Sequence, residues 1–151
     1  MPLNAELVGR SYPPTPAYLV GREKVREFAR AIGETSPACH DVDAARAMGY
    51  SDVIAPPTFA FVVAYAGSSQ AALDPELGLD YSRVVHGEQR FSYERPIVAG
   101  DALVATATIE GIRSVAGNDI LTTRVDLDTE AGERVATTYT VIVSRGTAEE
   151  S

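Results

Sequence analysis

Two stretches of this sequence carry side chains able to do chemistry. The first is Gly33-Glu34-Thr35-Ser36-Pro37-Ala38-Cys39-His40, which puts a carboxylate, a thiol and an imidazole into one short loop. A carboxylate and an imidazole held close can pass a proton between them, which is general acid–base chemistry. Cys39 is open to two readings, a nucleophile or a small half-buried filler; at an ordinary pKa of about 8.5 its thiol stays mostly protonated at neutral pH. Asp41 either orients the His40 imidazole or, like Asp43, caps the helix that follows. The second stretch is Pro56-Pro57-Thr58-Phe59, the start of a run to Ala66 in which, from residue 58 on, only Thr58 is not apolar. Pro57 stands where a first helical residue would, because its missing N–H is one that a helix leaves unpaired anyway. Such a start offers free N–H groups and partial positive charge to a ligand oxygen. His86 and Glu88 are further candidates, either at a pocket mouth or at a solvent or interface position. The two histidines have no ligand spacing, so no metal site is expected. No Gly-rich phosphate loop follows a strand, so no nucleotide cofactor is expected either.

These residues must be held by a small fold. A chain of 151 residues suggests one domain with a real core, and 45% hydrophobic with 23% charged residues is ordinary for a soluble globular protein. No basic start leads into an apolar run, and Cys39 as the sole cysteine suits a reducing compartment, so a cytoplasmic location is expected. The net charge of −8 and the lack of a basic stripe argue against a nucleic-acid partner. The apolar run is far too short to span a bilayer, which takes about 20 residues.

The elements follow from periodicity. Residues 1–20 hold four prolines and predict an extended lead-in with a short strand at Tyr18–Val20. Val25, Phe28, Ala29 and Ile32 recur at helical spacing, with Gly33 as the stop. A brief helix is expected over Ala44–Met48, closed by Gly49. Thr58–Ala66 predicts a helix apolar on every side, hence enclosed by other structure, and broken at Gly67-Ser68-Ser69. From Ser82 the period becomes two. Val85, Gln89, Phe91 and Tyr93 are expected on one face of the first strand, with His86 and Glu88 opposite. Three more strands follow, around Leu103–Ile109, Leu121–Leu127 and Val135–Val143, the last with Val135, Thr137, Tyr139, Val141 and Val143 on its apolar face. Short turns between successive strands predict an antiparallel meander covered by the apolar helix. The expected class is therefore α+β, a hot-dog fold over residues 1–145 with a loose polar tail at 146–151, and a cystatin-like or other α+β sheet is the competing arrangement. An open sheet edge predicts dimerisation.

The residues also resemble a known family. Gly33-Glu34-Thr35-Ser36-Pro37-Ala38-Cys39 resembles the Gly-Asp-x-Asn-Pro-x-His signature of MaoC-type (R)-specific enoyl-CoA hydratases and β-hydroxyacyl-ACP dehydratases. Val53-Ile54-Ala55-Pro56-Pro57 resembles their Val-Ile-Ala-His-Gly lead into the hot-dog helix. Arg95-Pro96-Ile97-Val98-Ala99-Gly100-Asp101 resembles their Arg-Pro-x-x-x-Gly-Asp turn. With His86-Gly87-Glu88-Gln89, the overall look is most similar to the substrate-binding subunit of the heterodimeric mycobacterial-type dehydratase.

That resemblance implies a thioester substrate, acyl-CoA or acyl-ACP, and catalysis by an Asp/His pair with a backbone N–H at the helix start. Here the Asp position holds Glu34, the His position Cys39, and the helix-start Gly position Pro57, which has no N–H to give. The family dyad positions are therefore altered at Glu34 and Cys39, with His40 one residue along as a substitute imidazole. Pro57, Thr58, Phe59 and His86 are the implied substrate-binding positions.

Four readings follow, in this order. The chain is the acyl-binding protomer of a hydratase or dehydratase whose partner, a second hot-dog chain, supplies the intact pair. It is an autonomous hydratase using Glu34 and His40. It is a thioesterase, against which stands the lack of an acidic residue in 58–66. Or it is a non-catalytic acyl-thioester-binding protein.

Overall fold

The computed structural model describes residues 1–148. Its helical part begins with α1 (Arg22–Ala31), which buries Val25 and Ala29 and turns charged residues outward. The predicted stop is a complete C-terminal capping motif. Gly33 takes φ +73°, its N–H bonds the Arg30 carbonyl, and the Glu34 N–H returns to the Ala29 carbonyl at 2.8 Å. Ile32, expected on the packing face, is the C-cap residue within this turn and is exposed. Next, α2 (Val42–Ala47) is capped by Asp41, whose Oδ1 accepts from the N–H groups of Asp43 and Ala44.

The apolar helix enters through a 3-10 turn, Pro57–Phe59, and continues as α3 (Ala60–Ala72). It does not break at Gly67-Ser68-Ser69. Gly67 is helical and buried, and a β-carbon there would stand 3.2 Å from Ala105 Cβ and 3.3 Å from Val125 Cγ1. The glycine is there for close approach of helix to sheet, not to end the helix. Nor is α3 enclosed on all sides: Tyr65 is 59% exposed and Phe61 is half-buried, and Leu73 at its C-cap is 68% exposed.

Five strands wrap one side of α3: β1 (Tyr18–Leu19), β2 (Val84–Tyr93), β3 (Ala102–Val115), β4 (Asn118–Thr129) and β5 (Arg134–Ser144). All pairings are antiparallel and the spatial order is β1-β3-β4-β5-β2. The α+β hot-dog arrangement expected from the sequence is present, but the four-strand meander is not. Only β3-β4-β5 are consecutive neighbours; β2 lies against β5, so the Glu94–Asp101 segment crosses over instead of making a hairpin. That segment is braced by its own ends. Arg95 holds Asp101 through two 2.9 Å bonds, and Asp101 Oδ2 accepts from the Val98 N–H.

Two faces differ from expectation. On β5 the residues opposite buried Leu127, Val125 and Thr123 are Ala136, Thr138 and Thr140, so Thr137, Tyr139, Val141 and Val143 face outward. On β2 a bulge at Gly87 shifts the register between His86 and Glu88, which brings His86 onto the helix-facing side with Gln89, Phe91 and Tyr93.

The core has two parts. One surrounds the helix start (Val25, Val53, Phe59, Val63, Ile97, Leu103, Val125); the other lies at its end (Leu3, Leu7, Ala71, Leu77, Ile109, Leu121). Of the tail expected to be loose, residues 146–148 are held. The Gly146 N–H bonds Asn118, and Thr147 donates to buried Asp119, which also accepts from Ser114 and the Leu3 N–H. Residues 149–151 lie outside the described residues. No helix among the described residues is long and apolar enough to cross a membrane.

Candidate active site

The Glu34–His40 loop is placed by the cap of α1 and by a 3-10 turn over Pro37–Cys39. Glu34 is half-buried, and its Oε1 accepts from the Ser36 N–H at 2.9 Å. The Cys39 side chain is only 3% exposed. Burial pushes its thiol pKa up, and the negative charge of Glu34 pushes it further, so carboxylate and thiol feel each other across the loop. A thiol in this state is a poor nucleophile.

The His40 imidazole turns back on its own loop. Its Nε2 is 2.7 Å from the backbone carbonyl of Glu34. A carbonyl only accepts, so Nε2 is the donor in this bond. Arg26 bonds the His40 carbonyl at 2.8 Å, fixing the residue from the other side. Asp41 is committed to capping α2, so its role is not to orient the imidazole.

At the helix start, Pro57 has no N–H and the Phe59 N–H is taken by the Pro56 carbonyl at 2.9 Å. Among the described residues the Thr58 N–H has no acceptor, which leaves it as the free donor of this turn. Phe59 is fully buried, edge-on to Phe28 (5.3 Å) and Tyr18 (6.4 Å), and so belongs to the core that supports the site. Tyr93, from β2, donates its hydroxyl to the Pro57 carbonyl. Burial raises the Tyr93 pKa to about 12, although a bond from the Ala60 N–H acts in the opposite direction.

Three cavities surround α3. A cleft of 380 Å³ is walled by Phe28, Thr58, Phe61, His86, Gln89 and Phe91. One of 140 Å³ lies deeper along the helix, between Phe61, Tyr65, Ser68, Ser69 and Ala72 on one side and Thr123, Thr140, Ile142 and His86 on the other. Phe61 and His86, stacked at 5.9 Å, form the wall the two share. A third, of 390 Å³, lies on the other side of the helix start, against Pro57, Tyr93 and Arg95.

The structure thus brings Thr58 and His86 into one cleft and puts Pro57 in another. Glu34, Cys39 and His40 line none of the three. Gln89 and Tyr93 are site residues that the sequence presents only as alternating strand positions. The Tyr93 hydroxyl meets the helix start, and Gln89, whose amide is held by Thr140 of β5, lines the same cleft as Thr58. No group of His, Cys, Asp and Glu among the described residues could hold a metal ion.

This geometry can be set beside known proteins. The family model described as "FAS1-like, dehydratase domain region" matches residues 6–138. A UPF0336 protein of Streptomyces griseus is 58% identical over 149 residues, covering 99% of each chain. Among solved structures, a MaoC-like dehydratase superposes with TM-score 0.85 at 40% identity over 92% of this chain, which spans 42% of that protein's length. The HadBC (3R-hydroxyacyl-ACP dehydratase) complex of Mycobacterium tuberculosis contains a chain matching at TM-score 0.77 and 34% identity, over 91% of this chain and 96% of that one.

Proposed function

The chain belongs to the FAS1-like dehydratase-domain family, and from that premise we propose that it is the acyl-binding protomer of a two-chain (R)-specific enoyl-thioester hydratase or β-hydroxyacyl dehydratase. Adding or removing water across an α,β-unsaturated thioester needs a base at the α-proton, an acid at the β-oxygen and a donor to the enolate-like oxygen. The observation that carries the proposal is the state of the Glu34–His40 loop. Its thiol is buried and held protonated, and its imidazole is bonded to a backbone carbonyl. Neither faces the aromatic cleft that would take an acyl chain.

The other requirements are better met. Thr58, whose N–H has no acceptor among the described residues, lines the cleft, and that N–H is the donor proposed to polarise a thioester carbonyl. A second hot-dog chain has a place to sit as well, since β2 is an edge strand and Tyr65 on α3 and Leu73 at its C-cap are exposed. The likeness to one chain of a two-subunit 3R-hydroxyacyl-ACP dehydratase supports that arrangement. The test is to recover the chain from its native cell and ask which protein travels with it. A second hot-dog chain with an intact Asp/His pair supports the proposal, and recovery as a fully active homodimer rejects it.

A second reading, an autonomous hydratase using Glu34 and His40, rests on the imidazole's reach to residue 34. Replacing His40 by Ala would then abolish turnover by the chain alone.

A further inference from the structure

We infer that the stacked rings of Phe61 and His86 are a divider that sets how long an acyl chain this protein accepts. The inference rests on the acyl-binding role proposed above and adds the two residues that limit the length of the chain.

Phe61 is the second residue of α3 and His86 comes from β2, and their rings lie 5.9 Å apart with 23° between planes. His86 reaches the helix only because the bulge at Gly87 turns it to the helix-facing side. That bulge suits glycine, since a β-carbon at 87 would crowd Val143 Cγ2 at 3.2 Å. The imidazole is held in place by one bond, from Nε2 to the Glu88 carbonyl at 3.1 Å. The two rings form the wall shared by the 380 Å³ cleft at the helix start and the 140 Å³ pocket further along the helix. Phe61 is half-buried and His86 exposed, so either can be changed without opening the core.

Beyond the divider the pocket suits hydrocarbon. Tyr65, Ala72 and Ile142 line it, and its hydroxyl groups are engaged within the chain. Those of Ser68 and Ser69 both donate to the Tyr65 carbonyl, at 3.1 and 2.7 Å, and that of Thr140 is 2.9 Å from the Gln89 amide oxygen. A chain whose thioester lies at Thr58 runs along the cleft and meets the two rings before it reaches the pocket. Each further methylene would gain by burial there, and the stack withholds that gain.

The experiment measures binding of a straight-chain series, from butanoyl-CoA to dodecanoyl-CoA, to the full chain by calorimetry. Each buried methylene is worth about fourfold in affinity, so wild-type affinity should climb with length and level off where the chain meets the rings. In Phe61→Ala and in His86→Ala the climb should continue for about two or more further carbons, as the 140 Å³ pocket fills. His86→Phe, which keeps an aromatic ring against Phe61, should keep the wild-type limit. So should Tyr65→Ala, which enlarges the pocket behind the divider. A wild type that never levels off, failure of either alanine variant at the stack to extend the limit, or a limit shifted in His86→Phe or Tyr65→Ala would overturn the inference while leaving the acyl-binding role intact. Failure of wild type to bind any of the thioesters would remove both.

Discussion

The imidazole of His40 meets Glu34 at its backbone carbonyl, 2.7 Å from Nε2, and the Glu34 carboxylate is bonded instead to the Ser36 N–H. The two residues most able to exchange a proton are therefore neighbours that do not present their functional ends to each other. In the two-chain enzyme, His40→Ala should leave turnover within about threefold. A general acid–base residue lost in this way would reduce the rate by about 10²–10⁴. Steady-state hydration of a trans-2-enoyl thioester decides between the two.

Cys39 should behave as a filler. The folded chain at pH 8 should react slowly with a maleimide, and the unfolded chain should react fully at once. The sign of its pH effect follows from the raised thiol pKa. Its contribution to stability is complete below the unfolded value and is lost as pH rises through the folded one. Cys39→Ala should remove that alkaline component from the unfolding profile at a cost of about 1 kcal/mol.

Tyr93 gives a second alkaline signature. Its pKa is raised to about 12, so its share of stability is present below pH 10 and disappears between pH 10 and 12. Tyr93→Phe should flatten the profile in that window and lower stability by about 1 kcal/mol through loss of the bond to Pro57. Denaturant titrations at pH 8, 10 and 11 provide the comparison.

Gly67→Ala tests the closeness of helix and sheet. The new methyl would meet Ala105 Cβ at 3.2 Å, and that atom is fixed to the backbone of β3. Overpacking of about 1–3 kcal/mol should outweigh the helix-propensity gain of about 1 kcal/mol, giving a net loss in the midpoint of urea unfolding.

Asp119 fastens both ends of the described chain. Burial alone would raise its pKa, but bonds from Ser114, the Leu3 N–H and Thr147 outweigh that and hold it low. Asp119→Ala should cost about 2–4 kcal/mol by leaving buried donors unpaired, and should speed proteolysis at both termini.

Much of this fold was legible because local chemistry and tertiary need agree. Gly33 ends α1 as its left-handed backbone requires, and the apolar residues of β3 and β4 alternate in phase with their burial. What misled was non-local. The order of strands depends on where the Arg95–Asp101 crossover leads, which short turns alone do not tell. A single bulge at Gly87 moved His86 to the other face. On β5 Thr137, Tyr139, Val141 and Val143 lie outside, where Tyr139 carries the Arg90 guanidinium 4.5 Å from its ring centre, while Ala136, Thr138, Thr140 and Ile142 lie inside, in phase with buried Leu127, Val125, Thr123 and Leu121 of β4. Of the candidate site, the loop and the helix start were legible as motifs. The direction of the His40 imidazole and the bond between Gln89 and Thr140 were not, since each is set by contacts several residues or a whole strand away.

The central claim is that this chain shapes an acyl site while a partner moves the protons. Its most direct test is the rate of hydration of a trans-2-enoyl thioester by the purified chain alone, measured beside the same chain mixed with a second hot-dog chain bearing an intact Asp/His pair. The account predicts background turnover alone and strong turnover in the mixture. Full turnover by the chain alone, lost on replacing His40 by Ala, would contradict it.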